Sequence, residues 1–271
     1  MLHSVAGTLL VIFYPVTGKA KIRIKNNLKF AIPQLQGKEL NQFVKKNLHH
    51  TLRVTLEIMQ AHKFKKPEFI NKYVLVQNDH LVPDFLAMDK QPVIIEGHLG
   101  NWELPVPFLA DKGINITAAA KRQSNPYVNR LIENRRKNYG GDIVFMDQTD
   151  KIMRDLRKKY LIGLVADQDA GGGGVFVNFF HRKASAFAGP ALLSYIAETQ
   201  LAILTCIYQG KGRYLLSKII IDPMVNRNSF KDRQSAVFQL TQAWNSALEN
   251  EIMKNPEQYF WVHRRWKSQP S

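Results

Sequence analysis

The strongest constraint on the fold is an alternation along the chain between short apolar runs rich in β-branched residues and longer amphipathic stretches. The apolar runs predict strands, which read KYVLVQ, QPVIIEG, GINITAAA, DIVFM, LIGLVAD, LAILTCIYQ and YLLSKIIID. The stretches around them predict helices at about residues 37–62, 102–112, 125–138, 149–159, 187–199 and 229–254. This alternation predicts an α/β fold in which helices cover both faces of a mostly parallel or mixed central sheet.

Length and composition favour one domain. The chain has 271 residues, 45% of them hydrophobic, and no internal repeat or linker-like tract divides it. We therefore expect a single domain over residues 1–271 that opens with a short helical region. Residues 1–16 are apolar but shorter than the roughly 18 to 20 residues of a spanning helix, and basic residues follow them, whereas a secretory signal carries its positive charge first. We interpret this segment either as a membrane-surface anchor or as an ordinary buried first helix.

The chain is strongly basic. Its formal net charge is +16 and its pI is near 9.9, which calls for a polyanionic partner such as a nucleic acid, an anionic lipid surface or an acidic carrier protein. The single cysteine, Cys206, lies in an apolar run, so an intramolecular disulfide and a cysteine-based metal cluster are both excluded. We expect a protein of a reducing compartment, and charge alone does not choose its partner.

The segment VIIEGHLGNWELP, residues 93–105, carries the first candidate catalytic pair. A predicted strand ends at Gly97, His98 follows, and Glu103 would lie in the first turn of a helix capped by Asn101. Ligands of open α/β sheets bind beyond the carboxyl ends of strands, which is where His98 falls. An imidazole held by a carboxylate is a general base that can take a proton from a hydroxyl. Alternatively, Glu103 only compensates the dipole of the helix. A zinc site at His98 is disfavoured because no third ligand has the required spacing.

A second polar cluster follows another predicted strand. Asp167, Gln168 and Asp169 precede four glycines, and no Lys-Ser or Lys-Thr closes this run, so it is not a phosphate-binding P-loop. We interpret the glycines as a mobile loop beside a site. The aromatic residues after the loop either line a slot for an apolar chain or belong to an ordinary core; they are Phe176, Phe179 and Phe180.

Several motifs in order resemble one known family. GHLGNWE, DQD with GVFVNFF and GPALL, and the ending PEQYFWVHRRWK are similar to motifs of the late acyltransferases of lipid A biosynthesis, the lauroyl and myristoyl transferases of the lysophospholipid acyltransferase superfamily. NNLKFAIPQL and KRQSNPYVNRLIENRRKNYG extend the resemblance over nearly the whole chain. It implies a glycerol-3-phosphate acyltransferase-like fold. It also implies direct transfer of a fatty acyl group from an acyl carrier protein to a hydroxyl of a glucosamine-based glycolipid, at the cytoplasmic face of the bacterial inner membrane.

The resemblance also implies roles for individual residues. His98 would be the general base and Glu103 its orienting partner, with no metal, no cofactor and no covalent enzyme intermediate. Related enzymes acylate mannosylated inositol lipids or aminolipids with the same pair, so the acceptor stays open. The residues that match positions for activity or substrate binding are Arg122, Arg135, Asp167, Gln168 and Asp169.

These expectations account for the basic charge. A basic chain would bind an acidic carrier protein, a phosphorylated glycolipid and an anionic membrane surface. The candidate contacts with these partners are the basic runs KRQSN, NRRKN and HRRWK. Amides at the start of a helix from Asn101 would stabilise the oxyanion. A nucleic-acid-binding module also fits the charge but leaves GHLGNWE and ADQD unexplained, so we expect no nucleic-acid partner. A third interpretation is a catalytically idle lipid-binding relative.

Overall fold

The computed structural model describes residues 17–60, 63–64, 66–120, 127, 130, 141–145 and 147–270. Within them, the α-helices are α1 (Gly18–Ala31), α2 (Gly37–Met59), α3 (Pro67–Tyr73), α4 (Leu81–Ala87), α5 (Pro105–Asp111), α6 (Thr149–Arg157), α7 (Gly189–Ala197) and α8 (Arg233–Lys254). The strands are β1 (Val74–Val76), β2 (Val93–Gly100), β3 (Ile116–Ala120), β4 (Asp142–Phe145), β5 (Leu161–Val165), β6 (Val175–Phe179), β7 (Arg182–Ala186), β8 (Leu201–Gly210) and β9 (Arg213–Asp222).

Seven of these strands form one sheet, in the order β1-β9-β8-β2-β5-β3-β4. The strands from β8 to β4 in this order run parallel to one another, whereas β9 and β1 run in the opposite direction. A separate antiparallel hairpin consists of β6 and β7. The sheet confirms the predicted fold class, and the parallel pairing of β2 with β5 sets their carboxyl ends side by side.

The central strands are buried on both faces, which explains why they read as continuous apolar runs. In β2, Val93 and Ile95 pack into one hydrophobic core, while Ile94 between them packs into a second core on the other face. None of the three side chains is exposed, and burying each one contributes roughly 1.5 to 3 kcal/mol to stability. Trp244 and Leu248 of α8 complete the first core.

The seven predicted strands are all confirmed, with ends shifted by at most three residues. The predicted helices at 37–62, 149–159, 187–199 and 229–254 are confirmed in shortened form as α2, α6, α7 and α8. The helix predicted at 102–112 starts three residues late, at Pro105. The helix predicted at 125–138 lies outside the described residues, apart from positions 127 and 130. The prediction missed the β6–β7 hairpin and the seven-residue helices α3 and α4, which are too short to show helical periodicity.

Residues 1–16 also lie outside the described residues, so their membrane role stays a prediction. The basic stretch that follows them forms α1. This helix buries Ile24 and Leu28 and leaves Ile22 and Phe30 largely exposed, at 60% and 43%. Within the part of the chain that the structure describes, no helix combines the length and the apolar character needed to cross a bilayer.

Candidate active site

His98 lies where β2 departs from its regular pairing with β8. The register holds up to Glu96 and resumes at Gly100, so the backbone is irregular at His98. Its carbonyl oxygen accepts a hydrogen bond from the backbone N–H of Phe260 at 2.9 Å. Asp167 follows the end of the neighbouring strand β5 by two residues. Because β2 and β5 are parallel, both side chains reach the same edge of the sheet.

Asp167 holds His98 through two hydrogen bonds. Its Oδ1 lies 2.6 Å from the ring Nδ1, and its Oδ2 accepts from the backbone N–H of His98 at 2.8 Å. Of the two side chains, that of Asp167 is 2% exposed and that of His98 is 18% exposed. A carboxylate only accepts hydrogen bonds, so Nδ1 carries the proton and Nε2 keeps its lone pair. This arrangement suits a general base that acts through Nε2.

The surroundings of Asp167 keep it charged. Burial by itself raises the pKa of this carboxyl. The charge of His98, the hydrogen bonds from His98 and the charge of Arg265 outweigh burial and hold the pKa below its usual value. Beside it, burial and the Asp167 carboxylate raise the pKa of the Tyr259 hydroxyl well above its usual value, so this hydroxyl keeps its proton. Asp167 is therefore ionised at neutral pH and can stabilise positive charge on the imidazole.

Gln168 and two aromatic rings surround the imidazole. The Nε2 atoms of Gln168 and His98 are 3.4 Å apart, which is a long contact for a hydrogen bond. The centroids of Trp102 and Phe260 lie 4.6 and 5.7 Å from that of the imidazole. The two rings thus pack beside the imidazole, and Gln168 lies next to its Nε2 atom.

The structure corrects the predicted setting of Glu103. Because α5 begins at Pro105, Glu103 lies in the turn before the helix. Its backbone N–H donates to the side chain of Asn101 at 3.2 Å, and its side chain lines a narrow slot. The Nδ1 atom of His98 faces Asp167 and not Glu103. The carboxylate that contacts the imidazole thus follows the neighbouring strand β5 and is that of Asp167.

The expected oxyanion donors are also corrected. The backbone N–H of Asn101 donates to the carbonyl oxygen of Cys206 at 2.8 Å, and that of Glu103 is bonded to the Asn101 side chain. The first residue of α5 is Pro105, which has no N–H to offer. The helix expected to start at Asn101 thus starts at Pro105, and the amides of Asn101 and Glu103 are already bonded within the protein.

A buried polar network on α2 supports the turn, and the sequence prediction missed it. The Nε2–H of His50 donates to the carbonyl oxygen of Gly100 at 3.2 Å, and Nδ1 accepts from Arg53 at 2.7 Å. Burial, and next the charge of Arg53, lowers the pKa of His50 to about 3, so it is neutral. Glu57 accepts from the side chain of Asn101 at 2.8 Å. The spacing of three and four residues along one helix face was the available signal.

Two glycines flank His98 for steric reasons. Gly100 has a φ of +66°, and a Cβ there would overlap the carbonyl oxygen of Cys206 on β8. A Cβ at Gly97 would lie 2.9 Å from a methyl carbon of Leu248 on α8. The backbone carbonyl of Cys206 therefore excludes a side chain at Gly100, whereas at Gly97 the Leu248 side chain would have to shift.

Asp169 and the glycines after it make structural contacts. Asp169 accepts from the backbone N–H and the hydroxyl of Ser268, at 3.1 and 3.0 Å, and so holds the C-terminal segment. The Ser185 hydroxyl donates to the carbonyl oxygen of Gly171, and a Cβ at Gly174 would overlap that hydroxyl. Gly171 and Gly174 thus pack against the hairpin, whereas a Cβ at Gly172 or Gly173 would meet nothing within 4 Å, and the mobility of the loop stays a prediction.

The basic ending HRRWK divides into buried and exposed members. Arg265 is 2% exposed and donates to the carbonyl oxygen of Ser185 and to the side chain of Asn245. Buried beside Asp167, it is not the phosphate contact that the sequence predicted. Arg264 and Lys267 are exposed.

Two of the three residues predicted to line an acyl slot belong to the core. Phe179 and Phe180 are 0% and 3% exposed, and both contact Trp266. Phe180 also packs on Trp261, with ring centroids 5.7 Å apart. The ordinary-core interpretation therefore holds for these two rings, because they fill the space under the C-terminal segment. Phe176 is half-buried on the same strand.

Arg122 and Arg135 lie outside the described residues, as do the runs KRQSN and NRRKN. Their role in substrate binding stays a prediction. Within the described ranges, no group of three or more His, Cys, Asp or Glu side chains has an arrangement that could hold a metal ion.

Comparisons with known proteins point in one direction. The model of the bacterial lipid A biosynthesis acyltransferase family matches residues 3–268. The chain is 22% identical to lipid A biosynthesis acyltransferase 2 of Shigella flexneri over 255 residues, which are 93% of this chain and 79% of that protein. It is 23% identical to the lipid A biosynthesis palmitoleoyltransferase of Escherichia coli K12 over 252 residues, 91% of this chain and 78% of that one. The family match includes both His98 and Asp167.

Among solved structures, the chain aligns with the crystal structure of the 1-acyl-sn-glycerophosphate acyltransferase from Thermotoga maritima. The alignment covers 85% of this chain and 95% of that chain, with 10% identity and a TM-score of 0.34. This likeness is too low to carry an argument about the site.

Proposed function

The chain belongs to the bacterial lipid A biosynthesis acyltransferase family, and on this premise we propose that it transfers a fatty acyl group from an acyl carrier protein to a hydroxyl of a lipid A precursor or a related glycolipid. Its curated relatives are acyltransferases by name, so the reaction class follows from the family. The observation that carries the mechanism is the 2.6 Å contact between Nδ1 of His98 and the buried carboxylate of Asp167.

In the proposed reaction, Nε2 of His98 removes the proton from the acceptor hydroxyl while the oxygen attacks the thioester carbonyl of the donor. The new C–O bond forms, and the C–S bond then breaks. The leaving thiolate takes the proton back from the imidazolium, so the products are an ester and the free carrier thiol. Asp167 fixes the tautomer of His98 beforehand and stabilises the imidazolium during attack. No atom of the protein is acylated.

Glu103 remains in the proposal as a second catalytic carboxylate. Since Nδ1 of His98 is bonded to Asp167, the proposal gives Glu103 a role toward the substrate and not at that nitrogen. Arg122 and Arg135 complete the proposed site as guanidinium groups for phosphate or the oxyanion. Gln168, beside Nε2, is displaced when the acceptor hydroxyl arrives.

The proposed partners are anionic. A chain with a net charge of +16 attracts an acidic carrier protein and a phosphorylated lipid at the cytoplasmic face of the bacterial inner membrane. The proposal includes no nucleic-acid partner. The exposed Ile22 and Phe30 on the basic helix α1 support contact with a membrane surface.

Mass spectrometry of the lipids of a deletion strain tests the function. We expect the loss of one acyl chain from the glycolipid, which also gives the length and the position of that chain. Loss of an acyl chain from a mannosylated inositol lipid or an aminolipid would instead identify that lipid as the acceptor. An unchanged lipid profile, together with no transfer from acyl carrier protein in vitro, would leave a catalytically idle relative and refute the proposal.

A further inference from the structure

A basic groove lies between α1, the hairpin and the C-terminal segment, separate from the contacts around His98. Its volume is about 550 Å³, within the roughly 300–1,000 Å³ typical of small-molecule sites. None of the described residues that line it is acidic. Its cationic side chains come from three separate parts of the chain; they are Lys19, Arg23, Arg182, Arg264 and Lys267.

The five cationic side chains of the groove are not neutralised within the described part of the chain. No acidic side chain among the described residues forms an ion pair with any of them, whereas Lys151 and Lys254 elsewhere on the surface do form such pairs. Like charges brought together without a counter-charge repel one another. The groove therefore favours an anionic occupant.

The lining of the groove is partly apolar. The apolar residues that line it are Ile22, Phe30 and Trp266, and the guanidinium of Arg182 lies over the Phe30 ring at 4.2 Å from its centroid. Stacking of this kind holds an arginine in place while its N–H groups stay available to a ligand. The occupant thus combines negative charge with an apolar or sugar-like body.

Hydrogen bonds connect two sides of the groove, α1 and the C-terminal segment, and the C-terminal segment also contacts His98. The side chain of Asn27 on α1 donates to the carbonyl oxygens of Trp261 and His263, both at 2.7 Å. The same C-terminal segment contacts His98 through the backbone and ring of Phe260. From Phe260 to Arg264 the chain spans at most about 14 Å. A molecule with one end at His98 can therefore reach the groove with its other end.

We propose that this groove binds a phosphate group of the lipid acceptor, an inference that rests on the proposed acyltransferase function. Arginine forks match the geometry of phosphate oxygens, and apolar lining residues suit a phosphate carried on a lipid. A carrier protein fits less well, because protein partners usually bury about 800 Å² of a flatter surface on each side. The groove positions the acceptor and takes no part in the chemical step.

The test replaces Arg23, Arg182 and Arg264 together by glutamine. A matched control replaces three exposed arginines elsewhere by glutamine, with the same change in net charge; they are Arg157, Arg213 and Arg233. Kinetics are measured with the phosphorylated acceptor and with the same acceptor after phosphatase treatment. We expect the groove variant to raise the acceptor KM at least tenfold with a nearly unchanged kcat, since one lost charge-assisted hydrogen bond is worth about tenfold in affinity. The control should change KM by about twofold or less.

A binding measurement separates this inference from the proposed function. His98→Ala protein, with and without the groove substitutions, is sedimented with phosphatidylcholine vesicles that contain either the phosphorylated acceptor or phosphatidylglycerol. Loss of binding to the acceptor vesicles alone supports the groove even if no acyl transfer is detected. The proposal is overturned by an equal KM effect on the dephosphorylated acceptor or by an equal loss in the control variant. Equal loss of binding to phosphatidylglycerol, or an effect only on the KM for the acyl carrier protein, overturns it as well.

Discussion

Replacing Asp167 with asparagine should lower the rate of acyl transfer by a factor on the order of 10² to 10⁴ in a folded protein. The carboxylate accepts from both the backbone N–H and the ring Nδ1 of His98, at 2.8 and 2.6 Å. An asparagine has one acceptor and one donor at these positions. If its oxygen keeps the bond to the backbone, its NH₂ group points at Nδ1, which must then accept. The ring proton moves to Nε2, and the base loses the lone pair that the reaction uses.

The expected magnitude follows from this geometry. Reaching the active tautomer in the variant means breaking a bond to the ring and losing a charge that stabilises the imidazolium. Two such losses, of roughly 1.5 to 3 kcal/mol each for hydrogen bonds to charged groups, add to about 3 to 6 kcal/mol. Since each 1.36 kcal/mol is tenfold in rate, this corresponds to a factor of about 10² to 10⁴.

The assay combines kinetics with nitrogen NMR of labelled histidine. The wild-type protein should show His98 protonated at Nδ1, Asp167→Asn should show it protonated at Nε2, and Glu103→Gln should keep the wild-type tautomer. Asp169→Asn is the matched control, because that carboxylate bonds Ser268. The reasoning is refuted if Asp167→Asn keeps normal turnover, or if Glu103→Gln changes the tautomer and Asp167→Asn does not.

Three further predictions concern other parts of the molecule. Arg135→Lys should reduce activity markedly while circular dichroism stays unchanged, because an ammonium does not reproduce a planar fork, and unchanged kinetics would place Arg135 on a solvated face. Gly100→Ala should destabilise the protein by several kcal/mol in chemical denaturation, since the new methyl overlaps a backbone carbonyl at positive φ; a loss below about 0.5 kcal/mol would contradict this. The pKa of His50 is about 3 in the folded protein and 6.5 in the unfolded chain, so below pH 6.5 the unfolded chain binds one more proton than the folded protein. The free energy of unfolding therefore decreases as the pH is lowered below 6.5, by about 2 kcal/mol at pH 5. Denaturation at about pH 7.5 and 5 should show this loss in the wild type but not in His50→Gln, and an equal loss in both would assign it elsewhere.

Much of the fold could be predicted because the central strands are buried on both faces and read as uninterrupted apolar runs. His98 was identified for the same reason, since it stands at the end of such a strand. Its pairing with Asp167 could not be read from local spacing, because 69 residues separate the two and only the parallel pairing of β2 with β5 joins them. The resemblance implied Glu103 as the orienting partner, and a helix start at Asn101 would have placed it beside His98, but the helix starts at Pro105.

The aromatic residues show a second limit of sequence reasoning. Composition gives the apolar character of Phe179 and Phe180 but not the surface that covers them, which is Trp266 from the far end of the chain. The basic ending was misjudged similarly, since adjacent Arg264 and Arg265 have opposite environments. Irregular backbone after the last helix has no periodicity from which burial can be predicted.

The most direct test of the account is single-turnover acyl transfer from acyl carrier protein to the glycolipid acceptor, with wild-type protein and with His98→Ala of confirmed fold. Removal of the general base should lower the rate by a factor on the order of 10² to 10⁴ and leave acceptor binding nearly unchanged. The double variant His98→Ala with Asp167→Asn should be scarcely slower than His98→Ala alone, because an orienting carboxylate has nothing to hold once the imidazole is gone. Near-normal turnover in His98→Ala would contradict the mechanism, and fully additive losses would mean that His98 and Asp167 do not act as a unit.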